Sequence, residues 1–225
     1  METRVKFFLL VAVFSLLSGG CQTSVKLSAG RNERPIVCLG DSITSGWDIS
    51  ENNKDDKSRA FPAVIQKLAD ITVINAGVSG DTTTEALKRL EPDVLAHNPQ
   101  MVIILLGVND FFSDFDFQIT KENFCSMVSV ITAGGSKIFI VKFLSDDAIR
   151  WNMFHKGKSE TEQEYFISQY YEMYDCLHGM YNCEILYDIL DDILPDMTVD
   201  GIHPDAIGHE IIGERIYGAI KPWLN

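Results

Sequence analysis

Five short apolar runs punctuate the sequence, each closed by Gly, Asn or Asp, with longer stretches of helical spacing between them. The runs are Pro35–Leu39, Thr72–Asn75, Met101–Leu106, Lys137–Phe143 and Glu184–Tyr187, rich in the aliphatic and β-branched residues that suit strands. The helical stretches are Phe61–Ala69, Thr82–Leu90, Lys121–Ala133, Ser159–Met180 and Asp205–Ile220. The second opens on a capping box, in which Thr82 and Glu85 satisfy each other's backbone N–H groups. Met101-Val102-Ile103-Ile104-Leu105-Leu106 contains no polar position. A strand there is buried on both faces, which requires helices above and below a mainly parallel sheet. The alternation predicts an α/β fold, a three-layer α/β/α sandwich around a five-stranded parallel sheet. No composition shift, long linker or internal repeat divides residues 35–225, which read as one domain.

The first 34 residues stand outside this alternation. Arg4 and Lys6 precede the apolar run Phe7–Leu17, broken only by Ser15 and followed by Ser18-Gly19-Gly20-Cys21. The run is shorter than the ~20 residues of a membrane-spanning helix. A charged start, an apolar middle and a small-residue end form the layout of a signal peptide over residues 1–20. Cys21 after small residues resembles the lipobox of bacterial lipoproteins, in which the cysteine is acylated and becomes the mature N-terminus. Ser18 stands where those boxes usually carry Leu, and ordinary cleavage beside an incidental Cys21 is the alternative. Each buried acyl CH₂ would contribute about 0.8 kcal/mol to membrane anchoring. Residues 21–34 are polar and without period, and read as a tether. The protein is expected to be exported, as a membrane-anchored lipoprotein on the periplasmic or cell-surface face.

Charge narrows the partners. Lys and Arg number 19 against 32 Asp and Glu, a formal net charge of -13, which repels nucleic acid and anionic lipid surfaces. The 46% of hydrophobic residues supplies a core, and small neutral substrates remain. The charge-dense segment Asp48–Arg59 reads as a solvated insertion. Of the remaining cysteines, Cys38 and Cys125 fall in apolar segments and read as buried free thiols. Cys176 and Cys183 are near enough in sequence to bridge a helix end to the next strand, though three pairings of the four are possible. His97, His155, His178 and His209 lack partners at ligand spacing, and no Gly-rich loop with Lys is present, so neither metal nor nucleotide cofactor is expected.

Gly40-Asp41-Ser42-Ile43-Thr44-Ser45-Gly46 follows the first strand, which puts Ser42 at a strand's carboxyl end, where open α/β sheets place their sites. A serine hydroxyl is a weak nucleophile unless a base takes its proton and a third group orients that base. Asp200-Gly201-Ile202-His203-Pro204 offers both: a carboxylate three residues before an imidazole can accept its Nδ1 proton and leave Nε2 free for Ser42. Two further strand-end loops, Asn75-Ala76-Gly77-Val78-Ser79-Gly80-Asp81 and Gly107-Val108-Asn109-Asp110, offer the Gly80 N–H and the Asn109 side-chain amide. With the Ser42 N–H they can form a three-donor oxyanion hole. Asp41, Gly107 and Asp110 are expected to support loop geometry. Phe111-Phe112-Ser113-Asp114-Phe115-Asp116-Phe117 reads either as cover over the sheet or as the wall of an acyl site. Tyr165, Phe166, Tyr170, Tyr171 and Tyr174 recur at helical spacing and read as packing.

These segments, in this order, resemble the SGNH (GDS-motif) esterases and lipases from Pro35 to the end of the chain. Leu39-Gly40-Asp41-Ser42 is similar to the family's first block, Gly80 to the glycine of its second, Gly107-x-Asn109-Asp110 to the third, and Asp200-x-x-His203 to the fifth. The longer strings are particularly similar to the bacterial acyl-thioesterase, lysophospholipase and arylesterase branch. The resemblance implies a flavodoxin-like strand order and a serine esterase that acts on esters, thioesters or lysophospholipids through Ser42, His203 and Asp200. A carbohydrate O-acetylesterase or acyltransferase with the same residues, and a surface lipoprotein that only binds, are the alternatives. The charged loop after the first block and the Phe-rich segment after the third depart from the compact members, which leaves acyl chain length open.

Overall fold

A computed structural model of the protein describes residues 34–113, 116–193 and 197–224. The signal segment, Cys21 and the tether before Arg34 lie outside the described residues, as do Asp114 and Phe115. The strands are β1 (Ile36–Gly40), β2 (Val73–Gly77), β3 (Met101–Leu105), β4 (Lys137–Val141) and β5 (Glu184–Leu186). The helices are α1 (Ser42–Ser45), α2 (Phe61–Ala69), α3 (Thr83–Lys88), α4 (Leu90–Asp93), α5 (Val108–Phe112), α6 (Phe117–Ala133), α7 (Asp146–His155), α8 (Glu160–Tyr181) and α9 (Ala206–Ile220).

All strand pairs are parallel and the order is β2-β1-β3-β4-β5, the flavodoxin-like arrangement. Every residue of β1 and β3 is buried, as unbroken apolar runs demand when helices cover both faces. Each such aliphatic side chain contributes roughly 1.5–3 kcal/mol by leaving water. Parallel neighbours require crossover connections, and these divide the helices between the two faces. One layer packs α2 against α9, and the other packs α6 against α3 and α8. Because β1 leads outward to β2 while the chain returns to β3 on its other side, a crevice opens beyond the carboxyl ends of β1 and β3.

The structure moves several predicted boundaries. Strand β4 ends at Val141 rather than Phe143, because Phe143 turns to pack its ring over Gly107. Helix α6 begins at Phe117, four residues earlier than predicted, with Asp116 accepting from the Gln118 and Ile119 N–H groups as its cap. Helix α7 has no counterpart among the helical stretches the spacing predicts. Arg34, placed in the tether by its sequence, is bound to the domain: its guanidinium donates to the carbonyls of Asn98 and Pro99. Tyr170 and Tyr174 are buried in the core, whereas Tyr165 is 67% exposed because it lies on the outer face of α8. All four described cysteines are free thiols; Cys38 and Cys183 are buried and Cys125 and Cys176 half-buried. Among the described residues, no helix is long and apolar enough to cross a membrane.

Candidate active site

Ser42 is the first residue of α1, directly beyond the end of β1. Asp41 caps this one-turn helix by accepting the Ile43 N–H at 3.0 Å, so the capping bond fixes the backbone that carries Ser42. The Ser42 hydroxyl lies 2.9 Å from His203 Nε2, and Asp200 Oδ2 lies 2.6 Å from His203 Nδ1. The second bond selects the tautomer, with the proton on Nδ1 and a lone pair on Nε2 facing Ser42.

The turn that carries these partners is built locally. Asp200 Oδ1 accepts the Ile202 and His203 N–H groups at 3.0 and 2.8 Å. The Val199 N–H donates to the His203 carbonyl and the Gly201 N–H to Thr198 Oγ1. Partial burial raises the Asp200 pKa, but the His203 N–H, the His203 ring and the Ile202 N–H outweigh it and hold the carboxyl below its ordinary value. It therefore stays ionised beside the imidazole. The Trp47 ring stands 6.4 Å from the His203 ring, tilted by 56°.

The candidate oxyanion donors come from three strand ends. Gly80 has φ +85° in the loop after β2, a left-handed conformation that costs a residue with a side chain. Gly107 has φ +109° and caps the N-terminus of α5; any Cβ there would overlap the Phe143 ring. That close approach sets where α5, and hence Asn109, begins. The Asn109 amide donates one hydrogen to the Asp81 carbonyl at 2.9 Å, which leaves its second N–H available.

Two acidic residues support these loops. Asp110 is buried and accepts from the Thr83 N–H at 2.9 Å, Thr83 Oγ1 at 2.5 Å and Thr120 Oγ1 at 3.2 Å, joining α5 to α3 and α6. Asp41 is fully buried, and Oδ2 has no partner among the described residues. Burial pushes its carboxyl up to about 7; the backbone bond from Ile43 opposes this, and the Asp110 and Asp81 charges add to it.

Sequence reasoning missed several participants. Ser45 Oγ donates to the Ser42 carbonyl at 3.1 Å and lies 3.0 Å from Ser79 Oγ, which reaches Asp55 Oδ1 at 2.7 Å. The loop Asp48–Arg59 is thus tied to the residue before Gly80, in addition to being solvated. Together with the His203 turn it walls a groove of about 310 Å³ lined by Ser50, Glu51, Arg59, Val199 and Ile207. The Phe-rich segment divides: Phe111 is buried against Phe166, and Phe112 is 44% exposed. Among the described residues no group of three His, Cys, Asp or Glu side chains is arranged to hold a metal ion.

The sequence model of the GDSL-like lipase/acylhydrolase family matches residues 38–211, a span that includes every loop described above. The chain belongs to that family. It is similar to an arylesterase of Vibrio mimicus, with 28% identity over 92% of this chain and 94% of that protein. It is also similar to Esterase TesA of Pseudomonas aeruginosa, with 25% identity over 93% of this chain and 99% of that one. The fold superposes on the crystal structure of the esterase EstA from Pseudoalteromonas sp. with TM-score 0.68 at 21% identity, covering 86% of this chain and all of that one. The GDSL protein is a carboxylic ester hydrolase.

Proposed function

We propose that this hydrolase cleaves acyl esters and thioesters, lysophospholipids included, through an acyl-enzyme on Ser42. The observation that carries the proposal is the unbroken chain from Asp200 Oδ2 through both ring nitrogens of His203 to the Ser42 hydroxyl, with contacts of 2.6 and 2.9 Å. In this mechanism His203 Nε2 takes the Ser42 proton as Oγ attacks the acyl carbonyl. The tetrahedral oxyanion is held by the Ser42 and Gly80 N–H groups and the Asn109 amide. His203 then returns the proton to the departing alcohol or thiol, and water, deprotonated by the same nitrogen, releases the acid. Asp200 orients the ring and stabilises the imidazolium without taking a proton itself.

Two features of the N-terminal sequence support a setting for this activity. The signal-like residues 1–20 and Cys21 favour export and acylation, and a short polar tether would hold the enzyme near lipid esters. Phe112, exposed three residues beyond Asn109, favours an apolar acyl group on that side.

The test is the initial rate of hydrolysis of p-nitrophenyl esters from acetyl to palmitoyl, measured beside Ser42→Ala. Removal of the nucleophile is expected to lower turnover by several orders of magnitude with the circular-dichroism spectrum unchanged. Equal turnover by the variant would refute the assignment.

A further inference from the structure

We propose that Arg89 is the positioning residue of the oxyanion hole, a single guanidinium that holds all three donor loops in register. The inference rests on the assignment of Ser42, Gly80 and Asn109 as the oxyanion donors.

The sequence places Arg89 near the end of one continuous helix, Thr82–Leu90, where an arginine is ordinarily solvated. The structure breaks the helix at this residue: α3 ends at Lys88, α4 starts at Leu90, and Arg89 has φ -104° and ψ 10°. The break turns its side chain inward under the loops that close β1 and β2, where it is 16% exposed. There Nε donates to Asp81 Oδ2 at 2.5 Å, Nη2 to the Gly40 carbonyl at 2.9 Å, and Nη1 to the Ala76 carbonyl at 2.8 Å and Asp93 Oδ2 at 3.0 Å.

Two of the four acceptors, Gly40 and Asp81, stand within two residues of a donor of the hole; the Ala76 carbonyl lies at the end of β2, and Asp93 holds the guanidinium from α4. Gly40 ends β1, two residues before Ser42. Asp81 follows Gly80, so the bond to its carboxylate anchors the chain one peptide beyond the Gly80 N–H. The carbonyl of the same Asp81 accepts the Asn109 amide. The Gly40 carbonyl also accepts the Val78 N–H at 3.0 Å, which ties the β2 loop to the β1 loop at the point Arg89 holds. Only the planar fork of a guanidinium, with five N–H groups in fixed directions, can span carboxylates and carbonyls of two strands at once; a lysine offers one mobile point charge.

The consequence is kinetic. Oxyanion donors stabilise a transition state in proportion to how well they are fixed before charge develops, and misplacement of reacting groups by an ångström costs on the order of 10²-fold. Arg89 makes no contact with Ser42 Oγ or with His203, and acts only through the loops.

The experiment compares wild type, Arg89→Lys and Arg89→Gln, with active sites titrated by a serine-directed phosphonate so that rates are per competent site. The clamp predicts kcat lowered by about 10–100-fold, KM within about twofold of wild type, and affinity for an arylboronic acid, a tetrahedral anionic analogue, lowered in step with kcat. The acidic limb of the pH–rate profile should be unmoved, and Arg89→Lys should be restored in part. A purely structural role would lower the titrated fraction and leave kcat per site unchanged, and that result overturns the proposal. Amide hydrogen exchange reads the clamp without turnover: exchange at Gly80, Asp81 and Asn109 should accelerate in both variants, and unchanged exchange would overturn it. Absence of Ser42-dependent turnover in wild type would instead refute the function, leaving the exchange measurement to decide on Arg89.

Discussion

The two halves of the site are held by different means. The half that carries the proposed nucleophile, Asp41, Ser42, Gly80 and the α5 start, is anchored on the sheet: Asp41 is fully buried, Ser42 is 7% exposed, and Asp110 and Arg89 cross-link its loops over long sequence distances. The base half is a turn held by its own hydrogen bonds, with the Asp200 side chain 46% and that of His203 20% exposed. Around the proposed oxyanion donors the fold supplies burial at Ser42 and a hydrogen-bond network behind Gly80 and Asn109. Around the proposed base it supplies a half-exposed turn closed by its own hydrogen bonds. Damage to the first half should therefore cost stability as well as rate, and damage to the second should cost rate alone.

The largest expected effect tests the second half. Asp200→Asn keeps a side-chain oxygen for the Ile202 and His203 N–H groups but turns an NH₂ toward His203 Nδ1. The imidazole must then carry its proton on Nε2, where it cannot accept one from Ser42. A fall in kcat of about 10³–10⁴ with an unchanged unfolding midpoint is expected, measured by ester hydrolysis and thermal denaturation. Asn109→Ala removes one proposed oxyanion donor and should lower kcat by about 10²–10³; if KM rises instead, Asn109 binds the ground state.

Asp110→Ala strikes the sheet-anchored half. It leaves the Thr83 N–H and two threonine hydroxyls without their acceptor, and should cost about 3 kcal/mol of stability in urea unfolding as well as activity. A variant as stable as wild type would show that the nucleophile half does not depend on this network.

The most conditional effect concerns pH. His209 on α9 is buried, and its Nδ1 accepts the Phe61 N–H at the start of α2 at 3.2 Å. Burial pushes its pKa down to about 4, with Asp205 opposing and His203 reinforcing the shift. As pH falls below about 6.5 the unfolded chain binds a proton that the folded protein refuses until about 4. Stability is thus complete above that window and falls through it, by up to roughly 3 kcal/mol. Asp41 acts oppositely, since its raised pKa makes the folded state hold a proton that the unfolded chain has released. The informative readout is therefore the difference between wild type and His209→Asn, whose oxygen can still accept from Phe61. Identical pH slopes would contradict the assignment.

Much of the fold is legible in the sequence because buried parallel strands must be short unbroken apolar runs, and Met101–Leu105 can be little else. Helix α7 is less legible. Ser145 as cap and Ile149 with Met153 at helical spacing signal it, but Trp151 and Phe154 face solvent at 65% and 69% exposure and obscure the apolar stripe. At the site, Ser42 and His203 are 161 residues apart in the chain yet each lies in a short string whose local chemistry can be read. Arg89 and Thr83 carry no such signal. Their importance comes from a helix break and from contacts across the strand-end loops, which one-dimensional spacing does not encode. The exposed Tyr165 shows the converse, an aromatic at helical spacing that faces water.

The proposed chemistry turns on Ser42 as a nucleophile activated through His203 and Asp200. Intact-mass spectrometry after treatment with a serine-directed fluorophosphonate tests it most directly. One covalent adduct per chain is expected, located on Ser42 by fragmentation of the labelled peptide, absent from Ser42→Ala and formed far more slowly by Asp200→Asn. Labelling at another residue, or equal labelling of Ser42→Ala, would contradict it.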